Sequence, residues 1–115
     1  MMSVLRSFLA EVPYKIIRDT ENYYQTVFHL IFNMLGLNCQ SEVETSCGRV
    51  DAVVKTKDFV YIFEFKFNES AEAALAQIDR KDYPLPWRAG NRKIIKVGVC
   101  FDGEKRNISE WIVGS

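Results

Sequence analysis

The apolar positions change period along the chain, from helical spacing to alternation and back. Residues 1–10 carry Val4, Leu5, Phe8 and Leu9 at helical spacing and stop short of Pro13. A second helix is predicted from about Glu21 to Leu35, with Asp19 or Thr20 placed to cap it and Gly36 to close it. Its positions are mostly apolar, which predicts burial on several sides. One thin polar line crosses it at Glu21, Gln25 and His29, spaced i, i+4, i+8. Alternation then takes over in residues 42–45, 50–55 and 59–67, predicting three strands, with Lys57-Asp58 as the turn between the last two. Ser70 is an N-cap for an alanine-rich helix that Tyr83-Pro84 ends, with Ala74, Leu75 and Ile78 toward a sheet. Residues 93–101 are nearly all apolar and predict an interior strand, and residues 108–113 a short last one with Ser109 and Glu110 exposed. The order is α-β-β-β-α-β-β. A helix between the third and fourth strands implies a crossover, so the fold class is α/β with a mixed sheet flanked by helices.

Composition narrows the classes. At 115 residues and 48% hydrophobic content the chain is one domain with enough apolar material for a core. Fifteen basic and fifteen acidic side chains balance. That argues against nucleic-acid binding driven by overall charge, although it allows a local basic patch. Cys39, Cys47 and Cys100 are odd in number and lack CxxC spacing. The expectation is therefore reduced thiols in a cytoplasmic protein, not a zinc ribbon or a disulfide scaffold. No signal-like start or bilayer-length apolar run is present, so no membrane partner is expected.

The candidate chemistry sits in residues 48–66, GRVDAVVKTKDFVYIFEFK. Tyr61, Phe63, Phe65 and Phe67 share one strand face, and Ile62, Glu64 and Lys66 the other. Asp51 on the neighbouring strand supplies a second carboxylate. Charges on a half-apolar face are costly to bury unless paired or bound to a cation. Asp51 and Glu64 on adjacent strands can share a Mg²⁺ that keeps several waters. Lys66, roughly 7 Å along the strand from Glu64, is placed to orient a water or stabilise charge at phosphorus. The plain alternative is a solvated ladder of opposite charges on a half-exposed strand. The polar line likewise reads either as a solvent-facing stripe or as Glu21 leaning toward Asp51 and Glu64. His29 alone reads as a packing histidine, since a lone His lacks the cluster a site needs. Arg88, Arg92, Lys93 and Lys96 near Trp87 form the most basic stretch, either a solvated loop or a set of phosphate contacts.

The strings FLAEVPY, ENYYQTVFHLIFNMLG, GRVDAVV, VYIFEFKF, SAEAALAQIDRKDY, IIKVGVCF and RNISEW span nearly the whole chain. Together they resemble the PD-(D/E)XK nuclease superfamily, and more narrowly the nuclease-like domain that follows an AAA-ATPase-like domain in bacterial proteins. The resemblance implies a restriction-endonuclease-like core, with residues 1–18 as a linker or entry segment from an N-terminal module. It makes Asp51 and Glu64 metal ligands, with Glu21 of the first helix as a further carboxylate ligand, and Lys66 the catalytic lysine. Gln77 resembles the glutamine of the RecB-like Q-x-x-x-Y motif. Lys81 stands four residues after Gln77 and Tyr83 six, a departure that leaves both roles open. Val50-Asp51 replaces Pro-Asp and keeps the carboxylate.

The expected function is a Mg²⁺-dependent nuclease, with Mn²⁺ as a substitute and DNA rather than RNA as substrate. Asp51, Glu64, Lys66 and Gln77 form its catalytic set. An AAA-ATPase-like domain in cis or trans is the expected partner, and a homodimer is compatible with the reading. The alternatives are a catalytically silent nuclease-fold interaction module and a metal-dependent phosphohydrolase acting on a small molecule.

Overall fold

The computed structural model describes residues 2–11, 21–104 and 107–114, without the side chains of residues 4, 5, 8, 21 and 22. Helix α1 (Met2–Glu11) and helix α2 (Glu21–Met34) precede strands β1 (Asn38–Thr45), β2 (Gly48–Lys55) and β3 (Phe59–Phe67). Helix α3 (Ala71–Lys81), a 3₁₀ turn (Leu85–Trp87), and strands β4 (Lys93–Asp102) and β5 (Asn107–Gly114) follow. The sheet order is β1-β2-β3-β4-β5, with β3 and β4 parallel and the other pairs antiparallel. This is the mixed α/β sheet with flanking helices that the pattern predicts. Residues 2–11, expected as part of a linker, form a helix that belongs to the domain. Met2 and Leu9 are buried in the core, and Arg6 donates to the Ser109 carbonyl at 3.1 Å. The capping residues expected at Asp19 or Thr20 lie outside the described residues.

Each sheet face has its own apolar layer. Helices α1 and α2 cover the face that carries Phe63 and Phe65. The Phe28 ring meets Phe32, Phe63 and Phe65 at 4.3, 4.8 and 4.7 Å between centroids. Burying each such ring stabilises by roughly 1.5–3 kcal/mol. Helix α3 covers the opposite face, with Ile78 and Leu75 against Val53, Val60 and Ile62. β3 is therefore covered on both sides, as a strand with a parallel neighbour usually is.

Helix α2 differs from the expectation of burial on several sides. Tyr24, Phe28, Ile31 and Phe32 face the sheet, while Leu30 and Met34, and Leu35 just beyond the helix, are exposed. One sheet face offers one apolar stripe, and the remaining apolar positions have no second layer to enter. Gly36 closes the helix at φ +80°.

Helix α3 is fixed at both ends and in the middle. Ser70 Oγ accepts the Ala73 N–H at 3.1 Å, and Asp82 terminates the helix in the left-handed conformation. In between, α3 crosses β4 at Gly98. A Cβ there would lie 2.4 Å from the Ala71 carbonyl oxygen and 2.8 Å from the Leu75 nitrogen. Only a glycine lets the helix lie this close to the sheet.

Candidate active site

Three of the expected site residues come from the α3 face of the sheet. Along β3, Glu64 and Lys66 point to the side of Ile62, away from the phenylalanines. On β2, the ladder with β3 runs from Lys55↔Val60 to Ala52↔Phe63. At the next position the Asp51 carboxylate takes over from the backbone: Phe65 donates its N–H to Asp51 Oδ2 at 2.8 Å. This places the Asp51 carboxyl within hydrogen-bonding contact of Glu64.

Glu64 is 4% exposed, and among the described residues it is the only buried charged side chain. A solvated ladder is therefore excluded for Glu64. Burial pushes the Asp51 carboxyl above its ordinary value. The Phe65 N–H, the Glu64 contact and the charges of Lys66 and Arg49 pull it back in part.

Lys66 is held from the helix. Its Nζ donates to Gln77 Oε1 at 2.5 Å, so the Lys66 ammonium is tethered to α3. Gln77 Nε2 in turn donates to Tyr83 Oη at 3.3 Å. Tyr83 reaches this position because the left-handed Asp82 reverses the chain and the Tyr83 N–H bonds back to the Ile78 carbonyl at 3.2 Å. The Tyr83 ring lies against Gly48, whose φ is +126°; a Cβ at Gly48 would come within 3.3 Å of it. The structure thus settles which residue meets Gln77: the tyrosine six residues on does, while Lys81 is exposed. Sequence spacing missed this because the helix ends between the two residues, and helical periodicity does not carry through a left-handed cap. The Phe65 N–H has no sequence signal at all, being backbone.

The remaining candidates lie elsewhere. Helix α2 covers the opposite face, and Gln25 and His29 go with it. His29 Nδ1 and Ser41 Oγ on β1 are 2.7 Å apart, the satisfied packing histidine of the plain reading. Glu21 opens α2, but its side chain lies outside the described residues. In the basic stretch, Arg88 pairs with both carboxylate oxygens of Asp82 at 2.5 and 2.9 Å. That pairing raises the Arg88 pKa and lowers that of Asp82. Lys96 pairs with Asp79 at 2.6 Å. Half of the expected basic stretch is thus engaged within the domain.

The donor set fits a hard divalent cation. Two carboxylates meet in one partly dry position, where burial favours the Asp51 proton. A cation between Asp51 and Glu64 would offset the cost of burying their charges. Among the described residues no group of three or more His, Cys, Asp or Glu side chains could hold a metal. A two-carboxylate site that leaves the other positions to water and phosphate suits Mg²⁺.

Comparison with known proteins agrees with this fold. The family model of the PD-(D/E)XK nuclease superfamily matches residues 19–111. The chain belongs to the PD-(D/E)XK nuclease superfamily. Its α/β core, with the Asp51, Glu64 and Lys66 set on two strands, has the restriction-endonuclease-like form of that superfamily. It is also similar to an "Uncharacterized protein in vnfD 5'region" from Azotobacter chroococcum mcd 1, at 34% identity over 122 aligned positions. The match covers all of this chain and 24% of the relative, so the chain spans about a quarter of that protein's length. Among the described residues no helix is long and apolar enough to cross a membrane.

Proposed function

We propose that this domain is a divalent-metal-dependent nuclease that hydrolyses phosphodiester bonds, with DNA as its principal substrate and Mg²⁺ as its ion. The observation that supports this most is the contact between Asp51 and the buried Glu64, with the Lys66 ammonium tethered nearby on the same face. Asp51 and Glu64 would hold the cation, with Mn²⁺ able to replace Mg²⁺. When bound there, the ion supplies a water of lowered pKa and neutralises charge at the phosphate. The Phe65 N–H orients the Asp51 carboxylate so that its other oxygen is available to the ion. Gln77 restrains the Lys66 ammonium, a rotamer-rich side chain that would otherwise be ordered only when substrate arrives. So held, Lys66 orients the attacking water and stabilises the negative charge that grows on the phosphoryl oxygens. Tyr83 acts one step back, as a positioning residue for Gln77.

We carry an ATPase-like module, in cis or in trans, into this proposal as the partner. The much greater length of the relative supports a reading in which such a domain works within a longer protein.

The test is cleavage of plasmid, linear and single-stranded DNA, and of RNA, with Mg²⁺ or Mn²⁺ and an EDTA control. Glu64→Gln should abolish cutting. Lys66→Ala should reduce it about 10²–10³-fold, the usual cost of one charge-stabilising donor. Unchanged cleavage in Glu64→Gln would refute the assignment. A second reading, a silent interaction module, draws on the exposed Leu30 and Met34 of α2 and Leu35 just after it. A folded domain that neither cleaves nor binds Mg²⁺ or Mn²⁺ at millimolar concentration would favour it.

A further inference from the structure

The α3 face carries a second feature besides the carboxylates. A cavity of about 400 Å³ opens between the β2–β3 turn and the loop after α3. The buried Val60 and the half-buried Trp87 give it apolar walls. Exposed Lys57, Asn91 and Arg92 give it a polar rim, and Pro86 adjoins Trp87. Both sides are fixed before any ligand arrives. The Thr56 N–H bonds to the Phe59 carbonyl at 2.9 Å, and Lys93 donates its N–H to the Asp58 carbonyl at 2.8 Å. A third cation stands by the ring: Lys55 Nζ is 5.9 Å from the Trp87 centroid. Lys55 lies on β2 four residues beyond Asp51, on the same sheet face, so the cavity is roughly 13 Å from the carboxylates.

An indole beside several cations matches one ligand chemistry closely, a flat aromatic base carrying a phosphate. We propose that this cavity holds one unstacked base of a single-stranded nucleic acid against Trp87, with the adjoining phosphate on Arg92 and Lys57. The ion pairs of the neighbouring loop sharpen the choice: Arg88 and Lys96 are spent on Asp82 and Asp79, while Arg92 and Lys57 rim the cavity. This deepens the nuclease reading and rests on it. It assigns the domain a strand-guiding contact away from the cleavage position and a preference for frayed or single-stranded substrate.

Trp87 and Trp111 are the two tryptophans, so Trp111→Phe leaves Trp87 as the sole indole reporter. Titration of that protein with octathymidylate in EDTA should quench Trp87 saturably. An abasic oligomer of equal length and charge should not quench it. In the wild-type chain, fluorescein-labelled octathymidylate followed by anisotropy reads the same binding without removing Trp111. There Trp87→Ala should weaken binding about 5- to 100-fold. The surface pair Lys57→Glu with Arg92→Glu should lower the salt slope by about 1.4, the loss of two phosphate contacts on a single strand. Equal response to the abasic oligomer, or an unchanged salt slope in the charge-reversed pair, would overturn the proposal. Cleavage by the wild type with no Trp87 response would end the cavity proposal and leave the nuclease reading standing. Base-dependent quenching without cleavage would do the reverse.

Discussion

Asp51 is held between opposing influences. Burial makes its charge costly, while the Phe65 N–H, the Glu64 contact and the nearby cations favour it. The net upward shift has a definite linkage sign. The folded state binds the Asp51 proton more tightly than the unfolded chain does, so stability is lost as pH rises from about the ordinary value of 3.8 through the raised one. In metal-free protein, Asp51→Asn should therefore raise Tm at pH 7 and flatten the decline in stability above pH 4, while abolishing metal binding. Thermal melts in EDTA between pH 4 and 8 check this, and a lower Tm for Asp51→Asn at pH 7 would contradict it. Burial also pushes the Cys39 thiol up to about 11, which keeps it neutral and unreactive, and Cys100 is equally enclosed. Cys47, half-buried and free, should be the first thiol alkylated by iodoacetamide at pH 8, as read by peptide mass mapping.

Helix α3 is the element on which the site depends. It supplies Gln77 to Lys66, its end supplies Tyr83, and its height above the sheet is set at Gly98. Gly98→Ala would drive a methyl group into helix backbone atoms that cannot rotate away. The expected cost is about 1–3 kcal/mol. It should appear as a lower denaturant midpoint, with the Lys66–Gln77 contact disturbed and cleavage reduced beyond the loss of folded protein. The strands around the site were legible in the alternation of residues 50–67, and α3 in its alanines and the Ser70 cap. The exposed side of α2 was not: apolar periodicity shows which residues tend to be buried, not how many layers the fold provides to bury them.

At the scale of the molecule, the proposed ion at the two carboxylates would couple its binding to the stability of a small domain. An ion that binds only the folded state stabilises it by RT ln(1 + [L]/Kd), about 1.4 kcal/mol at ten times Kd. For a domain of this length that is roughly a 5 °C rise in Tm. Millimolar Mn²⁺ or Mg²⁺ should produce such a rise in the wild type and none in Glu64→Gln, measured by differential scanning fluorimetry. Calcium giving the same rise without cleavage would be consistent with the same carboxylates holding it.

The sequence by itself determined the order of elements, the mixed sheet and the family. These depend on periodicity, caps and a short motif, which are local properties of the chain. It also placed Asp51, Glu64 and Lys66 on one sheet face, because strand alternation is a local rule. Tertiary structure alone decided that Glu64 is buried and not solvated, since α3 covers that face only after the chain has crossed over from β3 to β4. It decided that Tyr83, not Lys81, meets Gln77, because the left-handed turn at Asp82 breaks helical spacing. And it divided the basic stretch into paired and rim-lining cations. Which side chains meet across a sheet is set by register and by the height of a helix, and neither is written in the residues on one strand.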